Sequence, residues 1–278
     1  MRPLRQLGSI AAARFRRSGK DDIGRNLRRF RAHTKVDVRA CRRPDDYERS
    51  TEIIIPCYNR AIYLEDAFLS IVDQTWAKYP LFVTFVDNAS TDATPTLTQK
   101  LESAAPPHIK TKILRNAKNI YQWGALNRAI RESLNDLIVV LNDDDILVPD
   151  ALEKIFTALE RYPELAMVGG SSIWFSGEER PEHVQRPAAD LRVTIYHPEN
   201  TTSYRELNDL NMTQSSCSFF RFAWEAVGGY RPRGKRIHEA SCEDRDFQMR
   251  VNALFPVGVY TDYSLAFYRT DSSYGHNY

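Results

Sequence analysis

The sequence predicts an α/β fold in which helices flank a mostly parallel β-sheet. From residue 51 onward, short runs rich in β-branched residues alternate with helical apolar patterns, which is typical of successive βαβ units. The chain has 278 residues, 42% of them hydrophobic and 27% charged, which suffices for one large domain or two small ones. This composition excludes a collagen, a coiled coil, a miniprotein and a long disordered tail.

Five short apolar runs in the first half of the sheet are predicted to be buried strands. The clearest is 137–141, which consists only of Leu, Ile and Val. The weakest is 110–114, in which two lysines interrupt the apolar residues. In chain order the predicted strands are residues 52–55, 81–86, 110–114, 137–141 and 166–170.

Helical patterns separate these strands. Leu64, Phe68 and Ile71 share one face of the first predicted helix. Thr94 is predicted to cap the second, because Pro95 then takes the first helical position that proline favours. The predicted helices are residues 63–73, 94–101, a segment with Leu126, Ile130 and Leu134 at four-residue spacing, and 149–161.

The pattern becomes less regular after Gly170. Residues 176–190 are polar and contain two prolines, which predicts an exposed loop. Strands are expected at 193–196 and 217–220. A short helix at 223–227 should end at the two following glycines, and Ser241 is predicted to cap a last helix that ends near residue 254.

The first 50 residues form a basic N-terminal extension. They hold 15 Lys and Arg against 6 Asp and Glu, although the whole chain carries a net charge of only +2. Residues 25–31, Arg-Asn-Leu-Arg-Arg-Phe-Arg, could bind phosphates of anionic lipids or of RNA. The charge of the extension therefore predicts an anionic partner, although residues 51–278 are themselves acidic.

Cysteine usage and hydropathy predict a cytoplasmic protein. The cysteines are far apart and form no CxxC pair, as expected for reduced thiols. No apolar run approaches the roughly 18 residues that cross a bilayer. The apolar segment 9–13 is too short for a signal peptide. The cysteines are Cys41, Cys57, Cys217 and Cys242.

Polar clusters follow three of the predicted strands, at 56–60, 87–92 and 142–145. Ligands of a parallel sheet bind outside the carboxyl ends of its strands, where these clusters would meet. The last cluster, Asn-Asp-Asp-Asp, needs a compensating cation, and Mg²⁺ or Mn²⁺ with substrate phosphates would supply one. The alternative is an Asp-rich turn favoured by the dipole of the next helix. Neither GxGxxG nor GxxxxGK[ST] occurs, so metal and side chains would handle the phosphates.

Five motifs in order resemble those of the family 2 glycosyltransferases, which have the Rossmann-like GT-A fold. The resemblance extends over residues 51 to 270. The motifs are IIIPCYNR at 53–60, SIVDQT at 70–75, VDNASTD at 86–92, LNDDD at 141–145, and an acceptor-side set with FR at 220–221, VGGY at 227–230 and EDRDF at 243–247 followed by Arg250.

The resemblance implies an organisation and an activity. A GT-A domain at 51–278 would follow the extension 1–50, with a nucleotide-sugar half at 51–170 and an acceptor half at 171–278. This hexosyltransferase-like enzyme would move a sugar, with inversion, from a UDP- or dTDP-linked donor to a glycan or lipid-linked acceptor. It would need Mn²⁺ or Mg²⁺ and serve cell-surface polysaccharide or glycolipid synthesis, peripherally on the inner membrane face. Nucleic acid is not expected as a partner.

The resemblance also implies roles for individual residues. Asp244 would be the general base, with Glu243 and Trp224 on the acceptor side. Asp145 would be the principal metal ligand, and Asp144 would contact ribose or metal. The residues implied to bind the nucleotide sugar are Pro56, Tyr58, Arg60, Asp87, Asn127, Asp143 and Asp144, and Tyr268 to Asp271 would form a mobile lid over the diphosphate.

Several alternatives remain open on sequence grounds. Residues 241–244 also fit a capping box, with Ser241 as the cap and Asp244 as its partner. Asn142 occupies a position where the family usually has an acidic residue. Arg128 is one residue away from the position at which the family has the arginine that is expected to face the diphosphate. The aromatic residues Tyr121, Trp123, Trp174, Phe175 and Trp224 would either stack on sugars or belong to the core or an interface. A nucleotidyltransferase and a catalytically silent binding module are the rival functions.

Overall fold

The structure is a computed structural model that describes residues 20–76, 78–177, 181, 191–198, 212–237 and 242–271. These residues form one nine-stranded sheet of mixed direction. Its strands are β1 (Thr51–Cys57), β2 (Leu81–Asp87), β3 (Ile109–Arg115), β4 (Leu137–Val140), β5 (Ile146–Leu147), β6 (Met167–Phe175), β7 (Val193–Tyr196), β8 (Ser218–Phe220) and β9 (Val257–Arg269).

The sheet order is β3-β2-β1-β4-β8-β6-β9-β5, and β7 pairs with β9. Strands β3, β2, β1 and β4 run parallel, whereas β8 is antiparallel to both β4 and β6. The carboxyl ends of β1, β2 and β4 therefore meet at one edge. The predicted α/β class is confirmed, and β6 continues across the predicted boundary at residue 170.

Helices cover both faces of the sheet. Ile53 and Ile55 of β1 belong to one hydrophobic core, and Ile54 belongs to the core on the opposite face. A strand buried on both sides needs such a continuous apolar run. The helices are α1 (Lys20–His33), α2 (Ala61–Val72), α3 (Thr94–Ala104), α4 (Tyr121–Glu132), α5 (Ala151–Arg161), α6 (Arg221–Val227) and α7 (Glu243–Asn252). No helix in the described ranges has both the length and the apolarity to span a bilayer.

Helix α1 brings part of the basic extension onto the body. It packs against α7, and Leu27 is buried in the interface. Asn26 Nδ2 donates to the carbonyl oxygen of Ile237 at 2.8 Å. The guanidinium of Arg231 lies 5.4 Å from the ring centroid of Phe30. Residues 20–33 thus have a defined place beside the predicted acceptor half.

Several predicted helix ends are wrong. Helix α4 ends at Glu132, because Ser133 has an extended backbone, and Leu134 is 89% exposed instead of buried. Ala93, not Thr94, is the N-cap of α3, and Asp92 Oδ1 accepts from the Thr94 N–H at 2.9 Å. Cys242 is the N-cap of α7, and Ser241 lies outside the described residues.

The longest strand, β9, was not predicted. Its middle, Tyr-Thr-Asp-Tyr-Ser at 260–264, is polar, and its pairing with β6 is irregular around Ser171. Tyr268 and Arg269 are its last residues, so they belong to the sheet and not to a mobile lid. The Arg269 guanidinium is buried and lies 3.4 Å from Asp66.

Candidate active site

The acidic loop after β4 contacts the loop after β1. Arg60 Nη1 lies 2.5 Å from Asp144 Oδ2 and 3.3 Å from Asp143 Oδ1. The Tyr58 N–H donates to the other oxygen of Asp143 at 3.0 Å. The polar clusters that follow the first and fourth predicted strands therefore meet, as their common sheet edge requires.

Asp145 is held by donors from three parts of the chain. Its Oδ2 accepts from Ser215 Oγ at 2.5 Å and from Asn142 Nδ2 at 3.1 Å. Its Oδ1 accepts from the Arg269 N–H at 3.1 Å. Asn142 thus donates a hydrogen bond to Asp145. An acidic residue at position 142 could not donate this bond when ionised, and its charge would repel that of Asp145.

The acidic loop carries more negative charge than Arg60 neutralises. Burial, and next the charge of Asp144, raise the pKa of Asp143 to about 7 and that of Asp145 to about 7. A divalent cation would reverse both shifts by favouring the ionised carboxylates. The electrostatics of the loop therefore suit a bound cation.

The donor set fits a cation that is shared with a substrate. Among the described residues, no group of three or more His, Cys, Asp and Glu side chains is arranged to hold a metal ion. Within the described residues, Asp145 Oδ1 accepts one hydrogen bond, so its second lone pair can bind a cation. Mg²⁺ typically binds one or two carboxylates together with substrate phosphates, which matches Asp144 and Asp145.

Asp87 lies at the end of β2 and is 1% exposed. Its Oδ1 accepts from the Ser90 N–H at 2.9 Å, and its Oδ2 lies 3.1 Å from Arg115 Nη1. Within the described chain, Oδ2 has no aligned hydrogen-bond donor. Pro56 lies opposite Val86 inside β1 and is buried, so it does not end the strand.

Left-handed backbone marks the loops around this edge. Asn59 after β1 has φ 53°, Ala89 after β2 has φ 64°, and Ser216 before β8 has φ 78°. Such conformations are unfavourable for residues with a Cβ and persist where the surroundings enforce them, often at functional sites. Asn59 Oδ1 also accepts from the Thr91 N–H at 2.7 Å, which ties the first two loops together.

Helix α7 brings a second acidic pair to the site. Glu243 is paired with Arg236 at 2.7 Å, whereas the neighbouring Asp244 is half-buried in the first turn. Burial, and next the charges of Asp145 and Asp144, raise the pKa of Tyr268; Arg60 lowers it, and Asp244 raises it. Tyr268 therefore lies within electrostatic reach of both acidic groups.

A family profile matches the region that builds this site. The Glycosyl transferase family 2 profile matches residues 52–227, which is more than half of the chain. The chain belongs to glycosyltransferase family 2. The family predicted from the five motifs is thereby confirmed.

Individual relatives of this family member have low sequence identity to it or match only part of its length. An N-acetylglucosaminyltransferase of Mesorhizobium japonicum is 35% identical over 108 residues, which are 38% of this chain and 24% of that protein. The structure of S. aureus TarS 1–349 in complex with UDP-GlcNAc has a TM-score of 0.61 at 16% identity, covering 80% of this chain and 58% of TarS. For the mannosyltransferase PcManGT of Pyrobaculum calidifontis in complex with GDP-Man and Mn²⁺, the TM-score is 0.52 at 19% identity, with coverages of 90% and 66%. These neighbours confirm the GT-A fold, and the chain spans about a quarter of the length of the Mesorhizobium protein.

Asn127 connects helix α4 with helix α6 and the turn that follows it. Its Oδ1 accepts from Trp224 Nε1 and from the Tyr230 N–H, each at 2.9 Å. Its Nδ2 donates to the carbonyl oxygen of Tyr230 at 2.9 Å. The side chain thus joins α4 to the turn after α6, and its implied contact with the donor stays a prediction.

We expect Gly229→Ala to destabilise the fold, because Gly229 has φ 69° and an added Cβ would lie 2.6 Å from Asn127 Oδ1. Enforced backbone strain alone typically costs about 1–3 kcal/mol, so the free energy of unfolding should fall by more than this amount once the clash is added. Denaturant titration measures the change. Gly228→Ala is the matched control, since Gly228 has φ 75° but open space around its Cβ position. Equal losses in the two variants would contradict the proposed clash.

Sequence reasoning missed several contacts of this site. Ser215 and Arg269 bond Asp145 from 70 and 124 residues away, and Gln122 Nε2 donates to Asn142 Oδ1 at 2.7 Å. No local pattern marks such partners. Arg128 does not meet the acidic loop, because its Nη1 donates to Asn116 Oδ1 at 2.6 Å near the end of β3.

Proposed function

We propose that this chain transfers a sugar from a nucleoside diphosphate sugar to an acceptor hydroxyl, with inversion at the anomeric carbon. The observation that carries the proposal is the convergence of Arg60, Asp144 and Asp145 at the sheet edge, with Asp87 at the end of β2 and Asp244 in the first turn of α7. Family membership favours this reaction over nucleotidyl transfer and over silent binding. We infer that the enzyme is a hexosyltransferase of cell-surface polysaccharide or glycolipid synthesis.

The chemistry assigns one role to each acidic group. Asp244, which unlike Glu243 has no ion pair recorded among the described residues, would accept the proton of the acceptor hydroxyl. The acceptor oxygen then attacks the anomeric carbon opposite the departing diphosphate, which inverts the configuration. When bound by Asp144 and Asp145, Mn²⁺ or Mg²⁺ would offset the charge of the leaving nucleoside diphosphate.

The nucleotide would occupy the β1 and β2 side of the edge. Pro56 shapes the pocket there, and Tyr58, whose side chain is 43% exposed, is available to a base or ribose. The family resemblance suggests that Asp87, at the end of β2, would accept an N–H from the base edge. Uracil and thymine both offer such an N–H, so UDP- and dTDP-linked sugars are the first candidates, and the UDP-GlcNAc complex of TarS supports a nucleotide sugar.

A donor screen tests the proposed function. The purified chain is incubated with UDP-, dTDP- and GDP-linked sugars and Mn²⁺, and released nucleoside diphosphate is detected. We expect hydrolysis or transfer with at least one donor and none after chelation by EDTA. Failure of every donor to react or to bind would contradict the proposal.

We also propose that the basic face of α1 binds the enzyme to the anionic inner face of the cell membrane. Arg25, Arg28 and Arg29 are exposed at helical spacing, while Leu27 fixes the opposite face to the body. Because α1 packs on α7, a membrane at this face would lie on the acceptor side. In this orientation the acceptor side of the site would face a lipid-linked acceptor in the membrane.

Replacing Arg25, Arg28 and Arg29 by Gln should weaken binding to vesicles that contain phosphatidylglycerol. Each basic residue near an anionic surface contributes about 1 kcal/mol, so the triple variant should lose about 3 kcal/mol of binding free energy. Co-sedimentation at low salt measures the loss. The control replaces three exposed basic residues elsewhere, Lys100, Lys110 and Arg131, by Gln. Similar losses in the two variants would contradict a specific face.

A further inference from the structure

A cavity of about 600 Å³ lies between helix α5 and the strands β7 and β9. Sites for small organic ligands typically measure about 300–1,000 Å³, so the cavity is large enough for such a ligand. Its polar and charged lining residues are Lys154, Thr157 and Arg161 of α5, Arg192 just before β7, Thr194 of β7 and Tyr260 of β9.

The wall of this cavity is positively charged. Three of its lining residues are basic, and none of the described residues that line it is acidic. The nearest carboxylate partner is Asp150, which lies 3.5 Å from Lys154 Nζ and accepts a hydrogen bond from the Tyr263 hydroxyl at 2.5 Å. With this carboxylate counted, a surplus of two positive charges remains. A phosphate monoester carries about two negative charges at neutral pH and would balance them.

Lys154 is the lining residue that most strongly indicates a ligand. It is 8% exposed, so its ammonium group has lost most of its contact with water. An ammonium has three N–H donors, but in the described part of the chain Lys154 Nζ makes only the ion pair with Asp150 and no hydrogen bond. An anionic oxygen in the cavity would supply the missing acceptors. The Tyr260 hydroxyl donates to the Lys154 carbonyl oxygen at 2.8 Å, which fixes β9 to α5 at the same place.

The cavity is separate from the acidic loop of the candidate active site. On β6, Gly170 lies opposite Tyr260, and Phe175 lies opposite Arg269, whose N–H donates to Asp145. The five residue steps between these two positions of β6 span about 17 Å. A ligand in the cavity would therefore be a different molecule from the nucleotide sugar of the proposed transfer reaction.

We propose that this cavity is a second binding site, which takes a small organic phosphate between Lys154, Arg161 and Arg192. The site goes beyond the proposed function, because it serves a ligand that is not a substrate of the transfer. Both arginines are exposed, whereas Lys154 is buried, so a phosphate would pass the guanidinium groups and reach the ammonium. Guanidinium groups bind phosphate oxygens through two parallel N–H donors. The hydroxyls of Thr157 and Thr194 can bond the rest of the ligand.

Calorimetric titration of the full chain with glycerol 3-phosphate, glucose 6-phosphate and AMP tests this site. The buffer contains EDTA, which removes metal-dependent binding at the acidic loop, and little salt. We expect at least one of these phosphates to bind. Arg161→Gln and Arg192→Gln should each weaken that binding about tenfold, or about 1.4 kcal/mol, and Lys154→Met should weaken it at least as much. The matched control replaces two exposed basic residues elsewhere, Lys110 and Arg131, by Gln and should bind as tightly as the unaltered chain.

Thermal unfolding shows which variants are folded. Because the side chains of Arg161 and Arg192 are exposed, their variants should fold even if Lys154→Met does not. Failure of all three phosphates to bind, or equal affinity in the arginine variants and the control, would overturn the site.

Two further measurements separate this site from a lipid site and from the donor site. Co-sedimentation of the arginine variants with phosphatidylglycerol vesicles should be unchanged. A loss of vesicle binding with unchanged affinity for the three phosphates would assign the cavity to a lipid headgroup and overturn the small ligand. Affinity for UDP with Mn²⁺ should also be unchanged, whether or not the chain transfers a sugar. A parallel loss of UDP affinity would overturn the existence of a separate site.

Discussion

Asp244→Asn is expected to lower the rate of sugar transfer by roughly 10²–10⁴-fold, the usual contribution of a general base. Asn cannot accept the proton of the acceptor hydroxyl at neutral pH, but it has nearly the same shape as Asp. The Arg245 N–H donates to Asp244 Oδ1 at 2.8 Å, and the amide oxygen of Asn can accept the same bond. Product formation under saturating donor and acceptor measures the effect.

Glu243→Gln distinguishes the two carboxylates of this pair. Glu243 is held by Arg236 at 2.7 Å, so we expect it to position the start of α7 and to tolerate the change with a far smaller loss of rate. Nucleotide affinity should be unchanged in both variants, since the nucleotide is proposed to bind at the β1 and β2 loops and neither carboxylate belongs to them. Near-normal transfer by Asp244→Asn, or a greater loss in Glu243→Gln, would show that Asp244 is not the base.

Local sequence patterns predicted the parallel half of the fold well. The apolar run in β1 and the Asp-rich loop after β4 are contiguous in sequence, and the strand-end rule brought Arg60 and Asp144 to one edge. Family motifs then assigned Asp244 a role that the capping pattern alone left open. These predictions needed only short-range periodicity and the geometry of parallel strands.

The remaining features depend on contacts between distant segments. Ser215 belongs to a loop without a helical or strand pattern, yet its hydroxyl reaches Asp145. Strand β9 is polar in the middle, where Thr261 and Asp262 are exposed and lie outside the register with β6 and β7, so it lacks the continuous apolar run of β1. Arg269 has the composition of an exposed residue and is buried because Asp66, the carbonyl oxygen of Asp144 and two aromatic rings surround its guanidinium.

Asp145→Asn is expected to remove most of the Mn²⁺-dependent affinity for a nucleoside diphosphate. The carboxylate would contribute one of few protein ligands to the cation, and such metal contacts are worth several kcal/mol, or about 10²-fold or more in affinity. Calorimetry with UDP, with Mn²⁺ and with EDTA, measures the metal-dependent part. Asn is preferable to Ala, because Ala would leave the donors of Ser215, Asn142 and Arg269 unpaired.

Asp143→Asn is the matched control within the same loop. Both carboxylates are buried and have raised pKa values, but each oxygen of Asp143 already has a donor, Arg60 at Oδ1 and the Tyr58 N–H at Oδ2, so the metal should depend on it less. Asp144→Asn should resemble Asp145→Asn, because its carboxylate is the proposed second ligand. Thermal unfolding of each variant shows whether the fold persists. If folded Asp145→Asn bound UDP with Mn²⁺ as tightly as the unaltered chain, the cation would have to be held elsewhere, and the acidic loop would serve only to orient Arg60.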